Sequence, residues 1–539
     1  MLNSSFGRRD PLLTIKNLTI AAEQRNIVDN VSVTLSEGEI LGIVGESGAG
    51  KSTLGLSAMG YVRPGLRFVS GSVQFDGREL VGSRKQLSKE MWGRDMAYVA
   101  QSAAASFNPA LNLTRQIIET AVRSRKSSEQ HARSRAIDLL RELRLPDPER
   151  FGDKFPHQAS GGQLQRAMTV MGLMCRPKMM VFDEPTTALD VTTQLSFLAI
   201  IKETIARANA AALYISHDLA VVAQLTDRIL IMKDGRILEE GKTADILSKP
   251  KAEYTRTLWA VRDTEAPVRV EKRPPPVIQV SDVSISYGKV EAVRNIGFEL
   301  PRGRTVGLVG ESGSGKTTLG RAIAGLTAPT TGEILFNGSP LVGTFAGRDK
   351  DTLRKIQFVY QSPDTALNPR RLAGDIVARQ VQHRRNGSYS EAVAEAGRIF
   401  DLVELSPRLM QSYPSQLSGG QKQRLCLARA LAAEPECLIL DEVTSALDQL
   451  IARQIIDLLL KVQAERHAAY LFISHDFNAV RALSDYIVVM QSGIAVEQGE
   501  TNAILFNSQH SYTRRLLASI PEMRIGWLES RQSEAMANV

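Results

Sequence analysis

GESGAGKST, Gly45 to Thr53, stands directly behind the apolar run Ile40-Leu41-Gly42-Ile43-Val44. A short apolar run ending at glycine reads as a buried parallel strand. The residues after it fit G-x-x-x-x-G-K-[ST], a motif that requires a strand before it and a helix behind it. Gly45, Gly48 and Gly50 let the backbone curl so that successive amides face a phosphate. The following helix adds its positive N-terminal end. Lys51 has the reach for β- and γ-phosphates, Ser52 offers a hydroxyl to Mg²⁺, and Thr53 follows in the same turn. The segment returns as GESGSGKTT behind Val306-Gly307-Leu308-Val309. There Gly310, Gly313, Gly315, Lys316, Thr317 and Thr318 take the same places, 265 residues on.

Three more segments recur in the same order. SGGQLQR from Ser160 returns as SGGQKQR from Ser418, VFDEPTTALD as ILDEVTSALD, and YISHDLAVV as FISHDFNAV, each 258 residues on. A period this long is a duplicated domain rather than a solenoid. Met179–Phe182 and Leu438–Leu440 read as further buried strands. Thr114 to Leu145, without proline, reads as helical, and GDIVARQV and AGRIFDLV fill the matching stretch of the second half. Each half is therefore expected to be α/β, with a doubly wound core and a helical insertion. The boundaries read as a tail over 1–10, domains over 11–261 and 277–521, and a linker over 262–276, where three consecutive prolines hold the backbone extended. Residues 522–539 read as a C-terminal tail, polar beyond Met523 and expected to fray.

The composition, 43% hydrophobic and 23% charged, excludes a disordered chain. The net charge of +8 fits attraction to phosphates or anionic lipid, or simply a mildly basic surface. Cys175, Cys426 and Cys437 form no C-x-x-C pair, so reduced packing cysteines are expected rather than disulfides or zinc ligands. The N-terminus lacks the apolar run of a secretory signal, and no stretch approaches 18 apolar residues. If this chain serves a membrane, other chains must supply the pore.

Asp183 and Asp441 each close an apolar run, well placed to hold Mg²⁺ directly or through water. Glu184 and Glu442 follow and are candidates for polarising an attacking water; the alternative is an acidic pair ending a strand. His217 and His475 end the runs AALYIS and AAYLFIS, where an imidazole can contact a γ-phosphate or orient the glutamate. Gln101 and Gln361 close MAYVAQ and IQFVYQ. They either bind Mg²⁺ or its water, or merely end strands.

Taken together these motifs resemble the ABC ATPase family over nearly the whole chain. LSGGQ, Leu417 to Gln421, matches the family signature in full; ASGGQ, Ala159 to Gln163, departs at its first position. The resemblance implies two tandem P-loop domains, each a RecA-like core with a helical subdomain, that bind ATP and Mg²⁺. It also implies that each signature closes over the nucleotide of the other half. Ser160, Gly161, Gly162 and Gln163 would complete the site of Lys316, Thr317, Gln361, Asp441, Glu442 and His475. Ser418, Gly419, Gly420 and Gln421 would complete the site of Lys51, Ser52, Gln101, Asp183, Glu184 and His217. Asp190 and Asp448 would couple the two. QSAAASFNPALNL, QSPDTALNPRR and the YTR-x-L endings at Tyr254 and Tyr512 are similar to ATPases of peptide and nickel importers. That likeness implies two transmembrane permeases, an extracytoplasmic solute-binding protein and pairing of the two domains within one chain. It implies no nucleic-acid partner, and a peripheral place on the cytoplasmic face of the plasma (inner) membrane. The C-terminal cysteine cluster of some group members is missing, so no iron–sulfur centre is expected.

Two departures predict asymmetry. Tyr287 stands 23 residues before Gly310, where the family places an aromatic under adenine, but the first half has Ala22 there. The first P-loop is thus expected to bind ATP more weakly. Ala159 in place of leucine is expected to loosen the packing beneath the first signature. Two other classes compete: a soluble tandem ATPase acting on ribosomes, disfavoured by the short proline-rich linker, and a sugar-importer ATPase, disfavoured by the NP-containing segments.

Overall fold

The structure, a computed structural model, describes residues 11–23, 25–81, 89–124, 127–186, 189–260, 274–385, 387–445 and 447–537. The expected tail 1–10 and all but the last three residues of the expected linker lie outside them. Two compact units are present. The first comprises Met1–Leu189, Thr193–Trp259 and Pro521–Val539, and the second Asp190–Thr192 and Ala260–Ile520.

The first unit contains two sheets. β1 (Leu13–Ala22), β2 (Arg25–Leu35), β4 (Leu66–Phe75) and β5 (Arg78–Glu79) form an antiparallel sheet in the order β2-β1-β4-β5. This layer was not foreseen: its strands are solvated on one face, so they lack the continuous apolar runs that marked the core strands. β3 (Ile40–Val44), β6 (Met96–Val99), β7 (Met179–Asp183), β8 (Ala211–Ser216), β9 (Arg228–Lys233) and β10 (Arg236–Lys242) form the second sheet in the order β10-β9-β3-β8-β7-β6. All its pairings are parallel except β9 with β10. Every residue of β3, β7 and β8 is buried, as expected of strands covered on both faces. Val44 pairs with Ser216, Asp183 with Ile215 and Val99 with Phe182, so the C-terminal ends of β3, β6, β7 and β8 share one edge. In open α/β sheets that edge is where ligands bind.

The helical subdomain contains Leu113–Arg123, Glu129–Glu142 and Gly161–Leu173. The first two are N-capped by Asn112 and Ser128, whose side chains accept the Arg115 and His131 amides. Their buried faces, Ile117, Ile118 and Ala121 and then Ala132, Ala136 and Leu139, follow helical spacing.

The second unit repeats the plan. β11 (Pro276–Tyr287), β12 (Val290–Pro301), β14 (Thr331–Phe336) and β15 (Ser339–Pro340) form the antiparallel sheet. β13 (Thr305–Val309), β16 (Ile356–Val359), β17 (Cys437–Asp441), β18 (Ala469–Ile473), β19 (Tyr486–Gln491) and β20 (Ile494–Glu500) form the core sheet in the order β16-β17-β18-β13-β19-β20. Its helical subdomain holds Ala373–Arg385, Tyr389–Leu402 and Gly419–Leu431. Pro276, the last residue of the expected linker, already belongs to β11.

The chain's end departs from the expected frayed tail. Trp527–Ala537 is a helix, and Trp527 and Leu528 are almost fully buried in the first unit. Gln224 donates to the Glu522 carbonyl at 2.6 Å and accepts from the Leu528 amide at 3.3 Å; Lys202 pairs with Glu529 at 2.5 Å. Two apolar residues in a polar stretch suffice because a buried tryptophan removes a large apolar area from water. The three cysteines are buried and form no disulfide. No helix of the described residues is long and apolar enough to cross a membrane.

Candidate functional site

Each P-loop leaves its strand and enters a short helix, Lys51–Ser57 or Lys316–Ile323, at a glycine. Gly50 and Gly315 occupy the left-handed region at φ 94° and 100°. A Cβ there would lie 2.4 Å from the Ile27 carbonyl oxygen or 2.5 Å from that of Ala292, so both conformation and space require glycine. Lys51 Nζ donates to the Gly45 and Glu46 carbonyls at 2.8 Å each, and Lys316 Nζ does the same to Gly310 and Glu311. Burial pushes the Lys316 ammonium below its usual range, against the pull of Glu442 and Asp441.

The strand ends bring the other groups together. In the first unit Ser52 Oγ donates to Asp183 Oδ1 at 2.8 Å, and in the second Thr317 Oγ1 donates to Asp441 Oδ1 at 2.9 Å. Gln101 Nε2 donates to Glu184 at 3.0 Å and Gln361 Nε2 to Glu442 at 2.6 Å. His217 Nδ1 lies 3.2 Å from Glu184, and His475 Nδ1 lies 3.3 Å from Glu442. Burial would raise Glu442, but the His475 hydrogen bond and charge, helped by Lys316, hold its carboxyl below the ordinary value. Burial pushes Asp441 up, and the neighbouring Glu442 charge adds to that against the Thr317 hydroxyl. For His217 and His475 burial acts downward, yet the paired glutamate wins and raises both. Glu184 and Glu442 adopt left-handed backbone at φ 48° and 49°. Each is held there by donating its amide to the next strand's carbonyl, Ile215 or Ile473, at 2.9 Å. The glutamate is thus turned off the strand's alternation and onto its histidine and glutamine.

The signature residues belong to the helical subdomains, not to the strand ends. Ser160 and Gln163 form a reciprocal capping box at the start of Gly161–Leu173, and Ser418 and Gln421 form another at the start of Gly419–Leu431. A Cβ on Gly161 or Gly419 would meet open space, so nothing packs over the start of either helix there. Leu417 is buried in the core, whereas Ala159 is half-buried. Asp448 caps the helix Gln449–Arg466, accepting the Ile451 amide at 3.0 Å, and Asp190 accepts from Thr192 at 2.9 Å. Tyr287, the last residue of β11, is exposed with its hydroxyl 3.3 Å from Thr327; Ala22 ends β1 in the same way.

Two kinds of site residue escaped the sequence reading. Tyr254 Oη accepts the Glu46 amide at 3.1 Å, and Tyr512 Oη accepts the Glu311 amide at 3.0 Å, so each YTR helix braces its own P-loop. The recurrence of YTR was the available signal, but it served only as a family mark. Tyr98 Oη donates to Asp183 Oδ2 at 2.6 Å, and its counterpart in β16 is Phe358. One hydroxyl and one carboxylate per unit are oxygen donors that suit Mg²⁺, a cation that keeps waters and substrate phosphates for its remaining positions. The described residues contain no cluster of three or more His, Cys, Asp or Glu able to hold a metal.

The ABC transporter family profile matches residues 28–187 and 293–445, over both P-loops and both Asp-Glu pairs. The chain belongs to the ABC transporter family. It is an ATP-hydrolysing member, and the tandem fold that the motifs implied holds. Residues 496–538 match the oligopeptide/dipeptide transporter C-terminal region, in keeping with the narrower resemblance. Among its relatives is the peptidoglycan transport ATP-binding protein YejF of Agrobacterium fabrum, 36% identical and aligned over 94% of this chain and 96% of that one. Another is the glutathione import ATP-binding protein GsiA of Escherichia coli K12, 37% identical over 95% of this chain and 89% of that one. This ABC ATPase thus shares its tandem length with both.

Proposed function

We propose that this ABC ATPase powers an importer of di- or oligopeptides or a related small solute such as glutathione. It does so on the cytoplasmic face of the inner membrane, with two permeases and an extracytoplasmic solute-binding protein. The observation that carries the reading is the doubled cluster of lysine, hydroxyl, aspartate, glutamate, glutamine and histidine at the strand ends. In each half the P-loop amides and Lys51 or Lys316 bind the phosphates. Ser52 with Asp183, and Thr317 with Asp441, would hold Mg²⁺, which would offset the charge that develops on the phosphates. Glu184 and Glu442 take a proton from the attacking water, and His217 and His475 orient them. The signature helices Gly161–Leu173 and Gly419–Leu431 each complete the pocket of the other half, so ATP closes the pair and hydrolysis releases it.

Permease docking is supported by an apolar groove of about 320 Å³ in the first unit. Leu56, Met59, Tyr61, Trp92, Ala97 and Tyr98 line it, beside the strand that leads to Gln101. In the second unit Leu326, Val342 and Phe345 are exposed, with the Phe345 amide bonded to the Gly325 carbonyl. The peptide cargo is supported by the C-terminal match and by the relatives' cargo.

The test is purification of the tagged chain from its native membranes, followed by reconstitution with the permeases found there. ATP-driven uptake of a peptide or glutathione is expected, and Glu184→Gln and Glu442→Gln should each lower turnover by about 10²–10⁴-fold. Sedimentation with ribosomes and no permease, or full turnover in either variant, would overturn it.

A further inference from the structure

Asp183 is held on both oxygens. The Ser52 hydroxyl donates to Oδ1 at 2.8 Å and the Tyr98 hydroxyl to Oδ2 at 2.6 Å, the short distance of a hydrogen bond to an ionised acceptor. Asp183 itself is buried, which strengthens such a bond.

The second half is built differently. Tyr98 is the third residue of MAYV in β6, and the third residue of IQFV in β16 is Phe358. Both strands pair in parallel with the aspartate-bearing strand, Tyr98 beside Val181 and Phe358 beside Ile439, each two residues before the aspartate. Thr317 holds Asp441 Oδ1 at 2.9 Å as Ser52 holds Asp183, but the phenylalanine offers no hydroxyl to Oδ2. Both halves thus place a hydroxyl on Oδ1 of the carboxylate, and a phenol on Oδ2 is available only in the first; the second half instead has the Arg321 charge near Asp441, where the first carries Leu56.

We infer that Tyr98 is a positioning residue for Asp183, locking the carboxylate so that Oδ1 stays on the Ser52 side, and that it makes the metal sites of the two halves unequal. The inference rests on the reading of Ser52 and Asp183 as the holders of Mg²⁺. Ligand carboxylates depend on such outer partners, whose loss typically costs 10–100-fold in metal affinity. The ring of Tyr98 also lines the apolar groove, so one side chain joins the groove wall to the metal carboxylate. Phe358 cannot make that link by hydrogen bond.

The experiment uses the full chain carrying Lys316→Ala, so that metal–nucleotide binding reports the first half, with Mn²⁺ read by electron paramagnetic resonance and a non-hydrolysable ATP analogue present. Tyr98→Phe is expected to raise the Mn²⁺ concentration for half-occupancy about tenfold. Nucleotide affinity in EDTA should stay unchanged, and the unfolding midpoint should fall by no more than about 2–4 °C, as the loss of one hydrogen bond entails. Phe358→Tyr, read in a Lys51→Ala chain, should lower the requirement of the second half. A Mn²⁺ curve that Tyr98→Phe leaves in place would overturn this inference alone. Equal losses of metal-free nucleotide affinity and thermal stability would overturn it in favour of a packing role. Absence of nucleotide-dependent Mn²⁺ binding in the parent would overturn the metal reading and this inference with it.

Discussion

Glu442 and His475 form a partly buried pair whose charges depend on pH in opposite directions. The folded glutamate lies below its ordinary value of 4.5, so its contribution is present above that value and lost as pH falls through the lowered one. The folded histidine lies above its ordinary 6.5, so its contribution is complete below 6.5 and lost as pH rises through the raised value. The pair therefore stabilises fully between 4.5 and 6.5. His475→Ala should lower the unfolding midpoint more at about pH 5.5 than at about pH 9, as measured by calorimetry. A second residue-scale difference is the pair Tyr287 and Ala22. Stacking of a base on an aromatic ring contributes about 1–3 kcal/mol. In EDTA, a Lys51→Ala chain should therefore bind a fluorescent ATP analogue about tenfold more tightly than a Lys316→Ala chain. Equal affinities would remove the proposed inequality of the base contacts, and the absence of metal separates this effect from that of Tyr98.

At the scale of elements, the helices Glu253–Ala260 and Ser511–Ala518 close the two halves and brace the P-loops through Tyr254 and Tyr512. Each hydroxyl accepts an amide of the loop that must hold its curl when phosphate binds. Loss of one such bond costs about 1 kcal/mol, so Tyr254→Phe or Tyr512→Phe should raise the KM for ATP about fivefold at an unchanged kcat. A fall in kcat at constant KM would show that the brace acts on the chemical step instead. The core strands were legible because a parallel strand covered on both faces is apolar throughout: the runs at Ile40, Met179, Val306 and Leu438 lie in β3, β7, β13 and β17. The antiparallel sheets were not, since half their residues face water and the residual alternation is broken by bulges in β1 and β11.

At the scale of the molecule, the segment after Pro521 completes the first unit although it follows the second in the chain. Trp527 is fully buried there, and emptying such a site costs about 3–5 kcal/mol. Trp527→Ala should therefore lower hydrogen-exchange protection in Leu219–Leu225, the helix that carries Gln224, and leave β17 and β18 of the second unit unchanged. Equal loss in both units, or none in that helix, would contradict the packing.

Both nucleotide clusters could be read from the chain alone, because each part is a contiguous motif at a strand end and a parallel sheet gathers those ends on one edge. Lys51, Ser52, Asp183, Glu184, His217 and Gln101 needed no knowledge of distant contacts beyond that rule. The left-handed turn of Glu184 and Glu442, the bond from Tyr98 to Asp183, the brace of Glu46 by a tyrosine 208 residues away and the seating of Leu528 on Gln224 across 304 residues were decided only by the tertiary structure. The reason is physical: periodicity and turn chemistry report what a residue does with its chain neighbours. A single phenol or indole finds its partner only when the packed sheets and helices have set the distance between them.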